Sequence, residues 1–495
     1  MSELARFAQG YDFPLDDFQV AAIGALIEGR STLVAAPTGA GKTVVGEFAV
    51  WQALQRGGKC FYTTPIKALS NQKYADLTRR HGSAAVGLLT GDNAVNGDAP
   101  VVVMTTEVLR NMLYEGSRAL VGLQSVVLDE VHYLADRQRG AVWEEVIIQL
   151  PAGVQLACLS ATVSNAEEFG DWLGTVRGDT EVVVEEHRPV PLWQHVLVGT
   201  RLYDLFEGDE VNPALVRIAR DEGRLPVRGR PGRGAPSPFR RPVVSRPDVL
   251  TRLDSQGLLP AITFIFSRAG CAAAVEQCVR SGLRLNSAEE AERVRRHVER
   301  RTSPLPREDL RVLGYWEWLD GLQRGFAAHH AGMLPTFKEV VEELFTEGLV
   351  KAVFATETLA LGINMPARSV VLEKLTKWNG ETHADVTPGE YTQLTGRAGR
   401  RGIDVEGHAV VLWQPGMDPR TVAGLASTRT YPLRSSFRPS YNMAVNLVGA
   451  LGREQARTLL ESSFAQFQAD ASVVGLARQI SRNLEGLEGY RATMT

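Results

Sequence analysis

The stretch Ala36-Pro37-Thr38-Gly39-Ala40-Gly41-Lys42-Thr43 lies between a short apolar run, residues 31–35, and residues 44–51, whose apolar side chains are spaced as on a helix. A glycine-rich turn between a strand and a helix can wrap a phosphate chain with its backbone N–H groups, and the helix N-terminus adds its dipole. In such a loop the lysine reaches the β- and γ-phosphates and the threonine binds magnesium. The stretch therefore predicts a nucleoside triphosphate site, although Ala36 stands where the strict pattern has glycine.

The composition indicates a globular protein. The chain has 495 residues, of which 44% are hydrophobic and 22% charged, and this length predicts about three domains. No apolar run approaches the roughly 18 residues of a membrane helix, and the N-terminus lacks the apolar core of a signal peptide, so we expect a cytoplasmic protein without membrane contact. The net charge of −3 means that any nucleic-acid binding depends on local patches. The four cysteines (Cys60, Cys158, Cys271 and Cys278) lack metal-type spacing and are expected to be buried free thiols.

Strand-like and helix-like segments alternate after the phosphate loop. The strand-like runs are residues 59–63, 85–89, 101–104, 125–128 and 155–159, which predicts an α/β domain with a parallel sheet. The run 125–128 leads directly into Asp129 and Glu130. Two carboxylates at a strand end in a domain with a phosphate loop have a specific use. Asp129 is expected to hold magnesium and Glu130 to take a proton from the attacking water.

The alternation restarts in the second half of the chain, with strand-like runs at residues 261–266, 325–329, 350–354, 369–372 and 408–412. This half has no second phosphate loop, so we expect its sheet to close over the nucleotide of the first domain. The stretch 393–402 carries Arg397 and Arg400 flanked by glycines, and such arginines suit a γ-phosphate.

Two further segments have weaker signals. Phe13 and Gln19 precede the phosphate loop, and an aromatic ring with a glutamine amide can read adenine, although a solvated glutamine is the plainer interpretation. Residues 201–246 differ in texture, and residues 224–241 are rich in Arg, Gly and Pro. That composition predicts a flexible surface insertion, whose arginines either contact RNA or are simply solvated.

In their order along the chain these stretches resemble the superfamily 2 DExH-box helicases. The matching segments are the one ending at Gln19 and residues 36–43, 64–73, 90–92, 105–107, 129–132, 160–162, 266–268, 330–332, 355–358, 362–364 and 393–402. The detailed sequence of three stretches is similar to that of the superkiller-type and exosome-cofactor RNA helicases. These stretches are residues 66–72, 106–112 and 437–443. The last of these looks like the opening of that family's winged-helix domain.

The resemblance implies ATP and Mg²⁺ as cofactors and a set of site residues. Catalysis is assigned to Lys42, Asp129, Glu130, Gln393, Arg397 and Arg400, nucleotide binding to Phe13, Gln19, Pro37, Thr38, Gly39, Ala40, Gly41, Lys42, Thr43, Gly362 and Asn364, and metal binding to Thr43, Asp129 and Glu130. Nucleic-acid contacts are assigned to Thr64, Pro65, Lys67, Gly91, Thr106, Glu107, Arg110, Ser267, Arg268, His330, Gly332, Thr356 and Thr358. Coupling between nucleotide and strand is assigned to His132, Ser160 and Thr162. Backbone and hydroxyl contacts to phosphate and sugar would give low sequence specificity.

The implied architecture is two tandem RecA-like parallel-sheet domains, residues 1–187 and 188–430, followed by the beginning of a helical winged-helix domain at 431–495. Family members continue into a helical bundle, so we expect a truncated form in which RNA-stimulated ATPase activity survives while unwinding of a long 3′-tailed duplex is poor. The implied function is a 3′-to-5′ RNA helicase in RNA processing or decay that acts on single-stranded or 3′-tailed RNA and works with exonuclease partners. A DNA-repair helicase and an ATP-gated RNA clamp without unwinding are the alternatives.

Overall fold

The computed structural model describes residues 2–91, 93–223, 244–359, 365–378, 382–428 and 430–472. They form two compact units. The first contains the residues up to Pro37, Gly41–His187 and the chain from Thr430 on, and the second contains Thr38–Ala40 and Arg188–Arg429. The arginine-rich stretch 224–241 lies outside the described residues.

The first unit is an α/β sandwich. Its strands are β1 (Ser31–Ala35), β2 (Lys59–Thr64), β3 (Val86–Thr90), β4 (Asn93–Val95), β5 (Val101–Thr105), β6 (Leu123–Leu128), β7 (Gln155–Ser160) and β8 (Thr180–Val184). Its helices up to His187 are α1 (Glu3–Ala8), α2 (Asp17–Ile27), α3 (Thr43–Gln55), α4 (Lys67–His81), α5 (Thr106–Tyr114), α6 (Ala141–Gln149) and α7 (Ala166–Arg177).

The sheet of this unit has the order β4-β3-β5-β2-β6-β7-β1-β8, and its pairs are parallel except for β3 with β4. Every residue of β1 and β5 is buried, as expected for strands covered by helices on both faces. Because parallel strands end at the same edge, β1 and β6 deliver the phosphate loop and Asp129 to one rim of the sheet.

The second unit is also α/β. Its strands are β9 (Leu192–Val198), β10 (Arg201–Asp204), β11 (Phe206–Glu207), β12 (Glu210–Val211), β13 (Ala261–Phe264), β14 (Phe326–His329), β15 (Ala352–Ala355), β16 (Ser369–Leu372), β17 (Thr376–Trp378), β18 (His383–Asp385) and β19 (Gly407–Leu412). Its helices are α8 (Pro213–Gly223), α9 (Arg246–Ser255), α10 (Arg268–Arg280), α11 (Ala288–Thr302), α12 (Arg307–Val312), α13 (Tyr315–Gln323), α14 (Pro335–Thr346), α15 (Pro388–Thr395) and α16 (Pro419–Ser427).

The main sheet of the second unit has the order β10-β9-β19-β16-β13-β15-β14 and is parallel except for β9 with β10. The α/β class with two tandem RecA-like parallel sheets is therefore confirmed. Cys60, Cys158, Cys271 and Cys278 are buried free thiols, which confirms that expectation as well.

The flexible insertion expected at residues 224–241 stays a prediction. Residues 201–223, the first part of the stretch that differs in composition, form β10, β11, β12 and α8. Leu205 and Leu215 within this part are fully buried, so its apolar residues pack in the core of the unit. The average composition of residues 201–246 hid this, because residues 224–241 are rich in Arg, Gly and Pro.

Helices α17 (Tyr441–Leu451) and α18 (Arg453–Glu461) follow the second unit in the chain and group with the first. Phe464, after α18, is fully buried with its ring centroid 5.2 Å from that of Phe169 and 5.3 Å from that of Trp172. The indole Nε1 of Trp172 donates to the Ser462 carbonyl at 2.8 Å. These contacts pack the segment on α7; that it begins a winged helix stays a prediction.

A buried carboxylate also holds this segment. Glu144 of α6 is fully buried and accepts hydrogen bonds from the Phe464 N–H at 2.8 Å and from the Ser435 hydroxyl. Burial raises the pKa of Glu144 to about 7, although these hydrogen bonds oppose the shift. The carboxyl is therefore harder to ionise in the folded protein than in the unfolded chain.

We expect the Glu144→Gln variant to become more stable relative to the wild-type protein as the pH rises from about 5 to about 8. The stabilisation from a carboxyl with a raised pKa is complete below its unfolded value and is lost as the pH rises through about 7. The free energy of unfolding of the variant minus that of the wild-type protein should increase between these pH values by about 3 kcal/mol at most. Urea unfolding at both pH values measures it. Glu167→Gln, an exposed change on α7, is the control, and a difference that is constant with pH would contradict the assignment.

Candidate nucleotide and nucleic-acid site

The phosphate loop joins β1 to α3, and its conformation explains its glycines. Gly39 and Gly41 have φ of 84° and 98°, values that side chains with a Cβ rarely adopt. Lys42 is 9% exposed and its Nζ donates to the carbonyls of Ala36 at 2.7 Å and Pro37 at 3.2 Å. Burial lowers the pKa of Lys42, while the carboxylates of Glu130 and Asp129 oppose that shift. Loop and lysine thus form a concave, positively charged cradle suited to phosphate.

Gln19 belongs to this loop in a way that the sequence did not predict. Its amide Nε2 donates to the Gly41 carbonyl at 2.9 Å, and its Oε1 accepts from the Asp16 N–H at 2.9 Å, which caps α2. The amide therefore links the N-terminus of α2 to the phosphate loop. Phe13 is 47% exposed and its ring centroid lies 5.2 Å from that of Tyr11. Adenine reading by Phe13 and Gln19 stays a prediction.

Asp129 and Glu130 follow β6 at the same rim. Asp129 is 7% exposed, and its carboxylate accepts from the Tyr62 hydroxyl at 3.0 Å and from the Glu130 N–H at 3.0 Å. Burial and then the charge of Glu130 raise the pKa of Asp129, whereas Lys73, Tyr62 and Lys42 act against that rise. Glu130 has a φ of 54° in the left-handed region. Strain of this kind in a non-glycine residue is typical of functional sites.

The oxygen donors at this rim fit magnesium. No group of three or more His, Cys, Asp or Glu within the described ranges could hold a metal ion. Magnesium, however, is usually bound through one or two carboxylates together with substrate phosphates and water. The Thr43 hydroxyl at the start of α3 and the Asp129 carboxylate both offer oxygen atoms that could bind magnesium. Glu130 follows Asp129 directly in the chain.

His132 connects the Asp129 turn to residues 160–162. Its Nδ1 accepts from the Ala161 N–H at 3.2 Å, so the proton of the neutral ring is on Nε2. Burial lowers the pKa of His132 to about 3, and the charge of Lys42 adds to this shift, so the ring stays neutral in the working pH range. The Glu130 Oε2 lies 3.4 Å from Nδ1, but two acceptors form no hydrogen bond.

Residues 160–162 also contact the phosphate loop. The Ser160 carbonyl accepts from the Ala36 N–H at 3.1 Å. The Ser160 hydroxyl is buried without a hydrogen-bond partner among the described residues, and Thr162 is 7% exposed. The structure thus brings His132, Ser160 and Thr162 beside the nucleotide groups, and their role in coupling stays a prediction.

Three of the nucleic-acid candidates in the first unit are buried. Thr64 donates its hydroxyl to the Ile66 carbonyl at 3.0 Å, and Thr106 donates to the Thr64 carbonyl at 3.3 Å. Pro65 between them is buried as well. These hydroxyls hold the loop after β2, and contacts of Thr64, Pro65 and Thr106 with a nucleic-acid strand stay a prediction.

The other candidates of this unit are at the surface. Lys67 is exposed, with its Nζ 3.8 Å from where a Cβ at Gly91 would lie. Glu107 has a carboxylate oxygen 3.9 Å from Arg139 Nε. Arg110 donates from Nε and Nη2 to the Asn111 Oδ1 at 3.3 and 3.1 Å, and its Nε lies 4.0 Å from the buried carboxylate of Glu145.

In the second unit the candidates after β13 and β14 come together. Ser267 caps α10 by accepting from the Gly270 N–H at 3.1 Å, and Arg268 follows at the surface. His330 Nδ1 accepts from the Gly332 N–H at 3.2 Å. Burial and then the charge of Arg268 lower the pKa of His330. These residues form a patch with backbone N–H groups and positive charge, the chemistry that binds phosphate.

The remaining candidates of this unit are less fully defined. The Thr356 N–H donates to the His329 carbonyl at 3.4 Å, which holds it at the end of β15 beside this patch. Gly362, Asn364 and the side chain of Thr358 lie outside the described residues. Gln393 and Arg397 are half-buried, on α15 and just after it.

Arg400 makes a two-point contact that the sequence analysis did not include. Its Nε donates to Asp404 Oδ2 and its Nη2 to Oδ1, both at 2.7 Å, while its backbone N–H bonds Oδ2 at 2.9 Å. The Asp404 side chain is 4% exposed. Burial alone would raise the pKa of Asp404, but the bonds from Arg400 lower it. The carboxylate therefore fixes the orientation of the guanidinium.

Tyr62, Lys73 and Asp404 are the site residues that sequence reasoning missed. Tyr62 on β2 bonds Asp129, and Lys73 on α4 bonds Thr43 beside it. Both residues are far from Asp129 in the sequence, and no motif spacing links them to it. Asp404 follows Arg400 by four residues, and a carboxylate at that spacing from an arginine could have predicted their ion pair.

Comparisons with known proteins show which family the chain resembles. Residues 16–169 match the family described as DEAD/DEAH box helicase, and residues 308–402 match the helicase conserved C-terminal domain. The probable helicase HelY of Mycobacterium tuberculosis is 66% identical over 97% of this chain and 54% of its own length. The chloroplastic DExH-box ATP-dependent RNA helicase DExH15 of Arabidopsis thaliana is 40% identical over 97% of this chain and 45% of its own. The human exosome RNA helicase MTR4 is 37% identical over 97% and 46%.

The chain thus spans about half the length of these curated relatives. Among the described residues, no helix has the length and apolar character needed to cross a membrane.

Proposed function

We propose that this chain, which belongs to the superfamily 2 DExH-box helicases of the superkiller-type branch, is the motor of an ATP-dependent helicase that moves 3′ to 5′ along RNA in RNA processing or decay. One observation carries the proposal. Lys42, Asp129 and the strained Glu130 meet at one rim of a parallel sheet, where a triphosphate would be cradled, its metal held and a water activated.

In this proposal the loop residues Pro37–Thr43 bind the phosphates of ATP, and the Thr43 hydroxyl and Asp129 carboxylate hold magnesium. Bound there, magnesium would neutralise charge on the β- and γ-phosphates. The Tyr62 hydroxyl orients Asp129 by its bond to Oδ2. Because burial keeps the pKa of Tyr62 well above its usual range, that hydroxyl stays a donor.

Glu130 is the proposed general base. The left-handed backbone at this position sets the direction of its side chain, which is 27% exposed and can reach water. It would take the proton of the water that attacks the γ-phosphate, and phosphate would leave together with ADP.

In the second unit the nucleic-acid strand is proposed to contact the patch of Ser267, Arg268, His330 and Gly332. Lys67 and Gly91 are separate proposed contacts within the first unit. These groups reach phosphate and sugar and not base edges, so we expect little sequence preference. RNA is favoured because two of the relatives above are named RNA helicases. An exonuclease partner and a cytoplasmic location also belong to this proposal.

Strand displacement tests the function directly. With ATP and magnesium, we expect the chain to separate a short RNA duplex that has a 3′ single-stranded tail and to leave the 5′-tailed duplex intact. A long 3′-tailed duplex should be unwound poorly. Matched DNA duplexes form the second arm. Preferential release from DNA would favour the alternative of a DNA-repair helicase. ATP-dependent binding without release from any duplex would favour the clamp, and release from the 5′-tailed duplex would contradict the proposed direction.

A further inference from the structure

A lysine outside the phosphate loop lies on the groups assigned to magnesium. Lys73 is on the second turn of α4, and its Nζ donates to the Thr43 Oγ1 at 3.3 Å. The same Nζ lies 5.7 Å from the centroid of the Tyr62 ring, whose hydroxyl bonds Asp129. The half-buried ammonium thus bonds one proposed metal donor, Thr43, and its positive charge acts on the other, Asp129.

The packing of the neighbouring elements fixes this position. Tyr62 is fully buried on β2, and a Cβ at Gly46 of α3 would lie 3.1 Å from its ring, so the absence of a side chain at Gly46 lets α3 pack against this tyrosine. Thr43 begins that helix. This packing holds Thr43 and the Tyr62 ring together, and Lys73 contacts both.

The positive charge of Lys73 bears on how magnesium can bind at this site. Two carboxylates, Asp129 and Glu130, lie at this rim together with two ammonium groups, Lys42 and Lys73. A divalent cation bound to Thr43 and Asp129 would be within a few ångströms of the Lys73 ammonium. Two unit charges about 4 Å apart interact by about 4 kcal/mol near a protein surface, and a divalent ion doubles this value. The lysine and the metal therefore cannot share the Thr43 hydroxyl.

We propose that Lys73 and magnesium are alternative partners of Thr43 and Asp129, so that Lys73 balances the carboxylates before the metal arrives and must withdraw when it binds. The inference rests on the nucleotide site of the proposed function. Lys73 is then a positioning residue that sets how much magnesium the site needs, and it makes release of the metal easier after hydrolysis.

Magnesium titration of nucleotide binding tests this inference without measuring catalysis. A fluorescent ADP analogue is bound to the full chain while free magnesium is varied, and the half-saturating concentration is read for each variant. For Lys73→Met we expect a value about tenfold lower than for the wild-type protein, which corresponds to about 1.4 kcal/mol. We also expect a lower melting temperature of the variant in EDTA, because the carboxylates have lost a counter-charge.

The controls separate the outcomes. Lys59→Met removes a half-buried lysine whose Nζ donates to the Ala119 carbonyl, and it should leave the half-saturating value unchanged. Lys73→Arg should keep that value near wild type. Lys73→Gln replaces the methionine variant if that variant does not fold. An unchanged magnesium requirement in the uncharged variants, or a loss of nucleotide affinity at saturating magnesium, would overturn the inference. A wild-type protein that binds no ADP at any magnesium concentration would instead overturn the proposed function.

Discussion

Replacement of Glu130 by glutamine is expected to slow ATP hydrolysis by about 10²–10⁴-fold. The amide keeps the size of the side chain and its neighbouring contacts but cannot take the proton of the attacking water. ATP affinity and strand binding should stay near the wild-type values, because the phosphates are held by the loop and by Lys42. Single-turnover hydrolysis of radiolabelled ATP, with separate equilibrium binding of ATP and RNA, makes the measurement.

Glu167→Gln is the matched control for this change, since Glu167 is an exposed carboxylate in the same unit outside the site. It should hydrolyse ATP at the wild-type rate. A Glu130→Gln variant that also hydrolyses ATP at that rate would remove Glu130 from the mechanism.

Substitution of Arg400 by alanine is expected to lower the RNA-stimulated hydrolysis rate by about 10³–10⁵-fold, the range found for arginines that stabilise the transition state of phosphoryl transfer. The ordering of Arg400 by Asp404 means that little conformational freedom is left to lose when the arginine meets its phosphate. Arg397→Ala is expected to act in the same direction. Affinity for ATP should change little, because this contact is proposed for the transition state.

Arg280→Ala tests whether the effect is specific. Arg280 is an exposed arginine of the second unit that also pairs with a carboxylate four residues away, Glu276. Its loss should leave the rate unchanged. Wild-type turnover by both the Arg397→Ala and Arg400→Ala variants under saturating RNA would show that these arginines do not act on the nucleotide.

Local signals explain why the convergence of the phosphate loop and the two carboxylates at one rim could be predicted from the sequence. The phosphate loop and the carboxylates after β6 are each short stretches in which a strand ends and functional side chains follow. In a parallel sheet such ends meet at one rim, so their convergence did not depend on details of packing. The strand-like runs were predictable for the same reason, because buried parallel strands are nearly continuous apolar segments.

Contacts made across the sheet could not be predicted in this way. Tyr62 reaches Asp129 because β2 pairs with β6 in a particular register. The burial of the Thr64 and Thr106 hydroxyls depends on how the loop after β2 folds back, and a threonine beside a strand end is equally compatible with either direction. Glu144, one of two neighbouring buried carboxylates in α6, gave no signal of the segment that it holds.

Nucleic-acid-dependent ATP hydrolysis by the wild-type chain tests the central claim most directly. Phosphate release is measured with ATP and magnesium in three conditions: without polymer, with single-stranded RNA and with single-stranded DNA. The Lys42→Ala variant sets the background. We predict hydrolysis above that background and a rise of at least about tenfold with RNA, equivalent to about 1.4 kcal/mol of barrier. Hydrolysis at the Lys42→Ala background, or a wild-type rate that neither polymer changes, would contradict the account.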